Sequence, residues 1–274
     1  NKIDVIEGHG KLLKEKKVIV TNNQNEKEYI AKNIIIATGA RSKELPNLPQ
    51  DGNKIIGYRD AMTLKNQPKK LIIVGSGAIG IEFAYFYNAM NTEVTIIEYQ
   101  DRIIPLEDEE VSKYLEKSFT KNGIKIMTNS EVISAKTSGK GVNITVKTSK
   151  GEENLEANLL LSAVGIKSNI ENLGLDNVGI AVDNDKILVN DFYQTNIPGY
   201  YAIGDVTSGQ SLAHVASAEG ILCVEKITGH NVEPIDYGNI PGCTYCFPEV
   251  ASVGLTEAQA KEKGYEIKIG KFPF

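Results

Sequence analysis

Leu71-Ile72-Ile73-Val74-Gly75-Ser76-Gly77-Ala78-Ile79-Gly80 is the stretch that decides the reading of this chain. Four consecutive apolar residues suit a strand covered on both faces of a parallel sheet. They run into glycines spaced G-x-G-x-x-G, and Ile79 to about Met90 continue as an apolar helix. Gly75 permits the tight turn, Gly77 leaves bare backbone for a ligand to approach, and Gly80 lets helix and strand pack closely. The next predicted strand, Val94 to Ile97, ends at Glu98, at the offset of about 20 residues where an acidic residue meets the ribose of a bound dinucleotide. The order of strand, glycine loop, helix, strand and acid predicts a pyrophosphate seated at the helix N-terminus beside Ala78 and Ile79. Glu98 would accept from the adenosine ribose hydroxyls and repel a 2′-phosphate, which favours NAD over NADP. Arg102 is the one nearby cation that argues the other way. A glycine turn beside a solvated glutamate is the plain alternative.

Outward from this unit, short β runs are predicted at Ile3 to Ile6, Lys17 to Thr21 and Tyr29 to Ala31. Ile34-Ile35-Ile36-Ala37 is apolar throughout and reads as a strand buried on both faces, ending at Thr38-Gly39-Ala40. The lysines at 11, 14, 16 and 17 read as a solvated face. Downstream, a helix from Asp108 to about Lys121 carries acidic residues at its positive end and stops at Gly123. Ile124 to Met127 and three polar-alternating β segments follow, turning at 138–141 and 150–151, before Leu159 to Val164 meets Gly165. Tyr201-Ala202-Ile203-Gly204-Asp205 repeats the pattern of a strand meeting a glycine, and a helix from about Leu212 to Ile227 comes next. A last unit begins near Pro234, with a strand around Val250 to Val253. There Thr256 and Gln259 form a capping box that opens a short helix closed by Gly264.

The 274 residues carry 30 Lys and Arg against 35 Asp and Glu, a net charge of −5. That balance speaks against an electrostatic nucleic-acid binder. At 41% hydrophobic and 24% charged residues, the composition supports packed cores, and no run reaches the ~18 apolar residues of a membrane span. Three cysteines in this length point to a reducing compartment and away from a disulfide scaffold. The opening residues read as a strand already under way, and with the ending at Phe272-Pro273-Phe274 they give the expectation of a piece of something longer.

Ala37-Thr38-Gly39, the Gly75–Gly80 loop with Glu82 and Glu98, Gly165, Ala202-Ile203-Gly204-Asp205 and Leu212-Ala213-His214 occur in an order that resembles the two-dinucleotide flavoprotein disulfide reductases. Phe247-Pro248-Glu249-Val250-Ala251 with Val253-Gly254-Leu255-Thr256 resembles the start of that family's interface domain, so the likeness covers essentially the whole chain. It implies an α/β fold with two nucleotide-binding Rossmann-like domains and the beginning of an α+β interface domain. Residues 1–66 would be the second part of the FAD domain and 67–190 an NAD domain with a β-meander crossover. Residues 191–233 would return to the FAD domain, and 234–274 would open the dimerisation domain. The implied cofactors are FAD and NAD. On the NAD side the resemblance points to Gly75, Gly77, Ala78, Ile79, Gly80, Glu82, Glu98, Val132 and Gly165. On the FAD side it points to Gly10, Thr38, Gly39 and Ala40 through backbone, Asp205 on the ribityl chain, and Ser211, Leu212, Ala213 and His214 along the flavin at a helix start. Glu82 would be the catalytic-side carboxylate, pairing with a lysine near flavin N5 and the nicotinamide; a helix-surface carboxylate is its alternative.

The activity implied is dihydrolipoamide:NAD+ oxidoreduction, with electrons passing from a dithiol to FAD to NAD+. The resemblance also implies a homodimer, the lipoyl domains of 2-oxo acid dehydrogenase complexes as partners, no nucleic acid or membrane, and a cytoplasmic or mitochondrial-matrix setting. The family's second G-x-G-x-x-G, its C-x4-C disulfide and its C-terminal His-Glu pair are not in this sequence. By itself, then, the chain is expected to be inactive and to hold no FAD tightly. Val164-Gly165-Ile166-Lys167-Ser168-Asn169 stands where the family has G-R-x-P-N. Cys243 and Cys246 are read as packing residues, since positions i and i+3 of a strand point to opposite faces, and Cys223 as a core residue of its helix. His9, His214 and His230 form no metal-ligand pattern. Three other readings remain open. A glutathione or mercuric reductase is opposed by Gly80 and Glu98; an NADH oxidase or peroxidase and a non-catalytic nucleotide-binding module complete the set.

Overall fold

Five parallel strands form the centre of the larger of two units, in the spatial order Ile55–Ile56, Leu159–Ser162, Lys70–Val74, Glu93–Ile97, Lys125–Met127. The computed structural model describes residues 2–23 and 25–273, so Asn1, Gln24 and Phe274 lie outside the described residues. Two compact units are present: 42–166 with 238–274, and 1–41 with 167–237.

In the larger unit the apolar run at 71–74 is buried at every position because the sheet is covered on both faces. Leu71 and Ile73 pack with Ile81, Ala84 and Tyr87 of the helix Ala78–Ala89 and with Leu115 and Phe119 of the helix Glu109–Lys121. Ile72 and Val74 face Val132, Val142, Ile144 and Val146 of an antiparallel meander, Glu131–Ser138, Gly141–Thr148 and Gly151–Ala157. Unbroken hydrophobicity in the central strand and alternation in the meander are thus two sides of one packing arrangement. The hairpin Gly242–Thr244 with Val250–Ser252 contributes Cys246 and Val250 to the helix-side core. Thr256 and Gln259 form the capping box expected for the helix Glu257–Glu262. Asp108 precedes the helix Glu109–Lys121 as expected, but its carboxylate accepts from the Glu257 amide at 2.8 Å and makes no cap hydrogen bond on its own helix.

The smaller unit contains an antiparallel meander, His9–Leu13, Lys17–Asn22 and Asn25–Ile30, and a parallel pair, Ile34–Ile36 with Tyr200–Ala202. Leu12, Ile36, Leu173, Tyr200, Ala202 and Val206 form its main core, while Tyr193, Leu222 and Cys223 form a second one around the helix Ala213–Ile227. Two expectations are corrected. Ile3 to Ile6 forms no strand, because no segment among the described residues runs alongside it to accept a ladder, and Val5 is 84% exposed. The Ile34 to Ala37 run is not buried on both faces: Ile36 is buried, but Ile35 is 36% exposed. Ile34 and Ile36 turn to the core of this unit, and Ile35, between them, points to the opposite face of the strand.

Cys223 and Cys246 are buried and free, as the packing reading requires, and Cys243 is half-buried and free. The strand ends at Thr244, so Cys246 lies past it in a bend, its Sγ donating to the Pro248 carbonyl at 3.0 Å. Burial pushes both buried thiols up to about 11. The neutral thiols therefore stabilise the fold fully below the ordinary thiol value of about 8.5, and that stabilisation is lost as pH rises through about 11. Urea midpoints measured from pH 8 to 10.5 are expected to fall steadily, and a flat or rising series would contradict this account.

Candidate functional site

In the larger unit the chain leaves the strand Lys70–Val74 through Gly75 at φ +99, where a Cβ would stand 2.4 Å from the Ala163 carbonyl oxygen. The helix Ala78–Ala89 begins at once, and its N-cap, Gly77, supplies no side-chain hydrogen bond to the first turn. A Cβ on Gly77 would meet nothing within 4 Å, whereas one on Gly80 would stand 2.0 Å from the Gly75 carbonyl oxygen. Gly80 is therefore required by packing and Gly77 is not. Exposed backbone over Gly77, beside an uncapped helix start, fits the needs of a pyrophosphate.

Glu98 is only 7% exposed, which removes the solvated-glutamate alternative. One carboxylate oxygen accepts from the Ser76 amide at 2.8 Å and from the Ser76 hydroxyl at 2.6 Å, and the other accepts from the Gln100 amide at 2.7 Å. The acid thus fastens the glycine loop to the end of the neighbouring strand. Ser76, an unspecified position in the motif, was not singled out in the sequence; a hydroxyl inside the loop facing an acid was the available signal. A polar cleft of about 540 Å³ adjoins these residues, lined by Tyr99, Gln100, Asn129, Glu131 and Lys147 among others. Arg102 is turned to its own loop, donating to the Pro105 carbonyl at 3.2 Å and pairing with Asp101 at 3.5 Å. Val132 is buried in the core, its carbonyl accepting from the Asn47 side chain, and Gly165 is exposed at φ +112, its carbonyl accepting from the Lys43 amide at 3.0 Å. Glu82, on the fingerprint helix, accepts from the Tyr245 amide at 2.9 Å. The residue is half-buried, and its carboxylate is held by the backbone just past the Gly242–Thr244 strand.

In the smaller unit, Thr38 and Gly39 are tied to Asn169. The Thr38 hydroxyl donates to the Asn169 carbonyl at 2.6 Å, the Asn169 side chain donates back to the Thr38 carbonyl at 3.0 Å, and the Asn169 amide donates to Gly39 at 2.8 Å. Arg41 grips the Asn169 side chain at 2.8 Å and both oxygens of Glu171 at 2.6 and 3.0 Å. Arg41 and Lys167 together hold the Glu171 carboxyl well below the usual carboxylate range. Ala40 is buried, and Gly10 lies in the strand His9–Leu13 opposite Val20. Asp205 sits in a one-turn 3-10 helix, Gly204–Val206, and its carboxylate takes no hydrogen bond among the described residues. Leu212 is the N-cap of Ala213–Ile227 and gives no side-chain cap, while Ser211, Ala213 and His214 are exposed. This helix start, too, has unsatisfied amides available to an anion.

The sequence matches the family described as pyridine nucleotide-disulphide oxidoreductase over residues 1–220 and the dimerisation domain of that family over 240–274. The chain belongs to this family. A dihydrolipoyl dehydrogenase of Rhizobium etli is 45% identical over all of the chain and 60% of its own length, and one of Zymomonas mobilis is 45% identical over all of the chain and 59% of its own length. The crystal structure of LpdA from Mycobacterium tuberculosis superposes with a TM-score of 0.86 at 30% identity, covering 94% of this chain and 57% of that one. The chain therefore spans about 60% of the length of the curated relatives it matches.

Members of the pyridine nucleotide-disulphide oxidoreductase family use FAD and NAD(H). The glycine loop and Glu98 are joined by hydrogen bonds in the larger unit, and the Asp205 carbonyl accepts from Ser168 and Lys186 in the smaller one. Lys167 and Arg41 bring cations to the segment where the G-R-x-P-N arginine is absent. No helix among the described residues is long and apolar enough to cross a membrane.

Proposed function

We propose that the protein containing this chain is a dihydrolipoyl dehydrogenase that takes electrons from a dihydrolipoyl dithiol and delivers them to NAD+. The observation that carries the reading is the uncapped, sterically open helix start at Gly77 beside a buried, fully oriented Glu98. The similarity to dihydrolipoyl dehydrogenases along the whole chain supports it. When bound, FAD supplies the relay that accepts an electron pair from the dithiol and gives it up as hydride.

The roles of the chain's own residues follow from their chemistry. Gly77 and the amides at Ala78 and Ile79 receive the dinucleotide pyrophosphate, with Gly75 and Gly80 shaping the loop. Glu98, held by Ser76 and Gln100, offers its remaining lone pair to a ribose hydroxyl and repels a phosphate at the 2′ position. Val132 and Gly165 border the nucleotide. Asp205 accepts from a ribityl hydroxyl; Gly10, Thr38, Gly39 and Ala40 contact FAD through backbone; and Ser211 to His214 set the helix start along the flavin, where its dipole favours negative charge. Glu82, fixed by the Tyr245 amide, orients a lysine beside the nicotinamide.

In this reading residues 1–66, 67–190, 191–233 and 234–274 are parts of the FAD domain, the NAD domain, the return segment and the dimerisation domain, with 42–66 packed in the larger compact unit and 167–190 in the smaller. The working enzyme is a homodimer serving lipoyl domains in the cytoplasm or mitochondrial matrix. In the full-length enzyme, Glu82→Gln is expected to slow flavin reduction by NADH roughly tenfold or more, because a preorganised charge at the reacting centre is lost. Stopped-flow flavin bleaching measures it, and equal rates would return Glu82 to a structural role. Lipoamide-dependent NADH turnover by the full-length protein tests the function itself; its absence, with flavin bound, would refute the assignment.

A further inference from the structure

The Gly204–Val206 turn is gripped at both ends by charged side chains to which the proposed function gives no role. At one end the Gly204 amide donates to Glu219 at 2.6 Å. Glu219 is 1% exposed, and its other oxygen accepts from the Tyr237 hydroxyl at 2.6 Å. Tyr237 in turn lies 3.0 Å from the Tyr193 hydroxyl. At the other end the Asp205 carbonyl accepts from Lys186 Nζ at 2.7 Å and from the Ser168 hydroxyl at 2.8 Å. Lys186 also donates to Ser168 at 3.0 Å, and the Ser168 amide donates to Asp185 at 2.8 Å.

A residue needed only to fill space between the helix Ala213–Ile227 and this turn would be apolar, since burying a carboxylate costs its hydration. Glu219 recovers that cost through two short donors, one of them the turn's own first amide. Burial and the Glu219 carboxylate push the Tyr237 phenol well upward, so it remains a donor throughout the ordinary pH range. The Asp205 carbonyl has two lone pairs, and both are occupied, which fixes the plane of the peptide that follows. Between these fixed ends, the Asp205 carboxylate is left without a hydrogen bond among the described residues.

We infer that Glu219 and Lys186 are positioning residues that clamp the Gly204–Asp205 turn from opposite ends and aim the Asp205 carboxylate at a hydroxyl of a bound polyol chain, the ribityl portion of FAD. This rests on the proposed flavin role of Asp205. Ser168 belongs to the clamp: it is fully buried and stands in the segment that departs from G-R-x-P-N.

The test uses the full-length protein, stripped of flavin and titrated with FAD by fluorescence quenching, together with amide hydrogen exchange at 204–207 and thermal melting. Lys186→Met and Glu219→Leu should each raise the FAD dissociation constant roughly tenfold or more, the worth of a hydrogen bond to a charged group. Exchange at Gly204 should quicken in Glu219→Leu. Glu219→Gln, which keeps an acceptor for Gly204, and Lys186→Arg, which keeps the donors, should stay within about threefold of wild type. Should Glu219→Leu fail to fold, Lys186→Met and the Glu219→Gln comparison decide the matter. Unchanged FAD affinity in Lys186→Met and Glu219→Leu, beside an Asp205→Ala variant that binds FAD poorly, would overturn the clamp. Unchanged affinity in Asp205→Ala would instead remove the flavin role. In that case exchange at Gly204 judges the clamp alone: faster in Glu219→Leu supports it, and unchanged refutes it.

Discussion

Gly80→Ala is expected to cripple the larger unit, while Gly77→Ala leaves it folded and unable to hold a dinucleotide well. At Gly80 the added methyl would sit 2.0 Å from the Gly75 carbonyl oxygen, so the loop or the helix must shift. Backbone displacement of this kind costs about 1–3 kcal/mol, and a contact as close as 2.0 Å to a carbonyl oxygen puts it at the upper end, which outweighs the ~1 kcal/mol that alanine gains over glycine inside a helix. For a chain of this size the melting temperature should drop by roughly 5–10 °C. At Gly77 the methyl meets nothing within 4 Å, and the backbone has negative φ, so stability should change by about 1 kcal/mol at most. The same methyl would project from the bare backbone that a pyrophosphate must approach, and NADH affinity should fall roughly tenfold or more. Urea melts and nicotinamide fluorescence on the two variants separate the fold from the site. Equal effects of both substitutions on both readouts would show that the glycines do not divide their roles in this way.

Glu98→Ala should cost both stability and binding, and for the same physical reason. Three donors, the Ser76 amide, the Ser76 hydroxyl and the Gln100 amide, lose their acceptor at a position that is 7% exposed. Leaving a buried donor unsatisfied costs about 1–3 kcal/mol, so a combined loss of about 3 kcal/mol is expected, with NADH affinity falling roughly ten- to a hundredfold. Ser76→Ala removes only one of the three donors and should weaken NADH by a smaller factor, through a less well oriented carboxylate. The double substitution Glu98→Ser with Tyr99→Arg should move preference toward NADPH. If it does not, Arg102 or another contact sets the specificity. Were Glu98→Ala to bind NADH like wild type, the acid would be a structural fastener for the loop and nothing more.

How much could be read in advance depended on how local the cause was. The strand, glycine loop, helix and Glu98 were legible because each follows from a few adjacent residues: an apolar run, a turn that needs glycine, a helical period. The capping box at Thr256 and the buried thiol of Cys223 were legible for the same reason. Contacts between distant parts of the chain were not. Glu82 meets Tyr245 across 163 residues, and Ser168 meets Asp205 across 37, and neither partner lies in a pattern that points to the other. Glu219 resembled any acid on an amphipathic helix, and only packing shows that it is interior. The misread runs at Ile3 to Ile6 and Ile34 to Ala37 have the hydrophobicity of strands, but pairing and double-sided burial depend on neighbours that the local pattern does not report.

The most direct test of the central claim, that Gly75 to Glu98 form an NAD site, is a side-by-side titration of the 274-residue chain with NADH and NADPH, followed by nicotinamide fluorescence. The predicted result is saturable NADH binding at least roughly tenfold tighter than NADPH, since a buried carboxylate at the ribose repels a 2′-phosphate. That binding should be lost when Gly77→Asp places a charge where the pyrophosphate would lie. Equal affinity for the two nucleotides, tighter binding of NADPH, or NADH binding that survives Gly77→Asp would contradict the account.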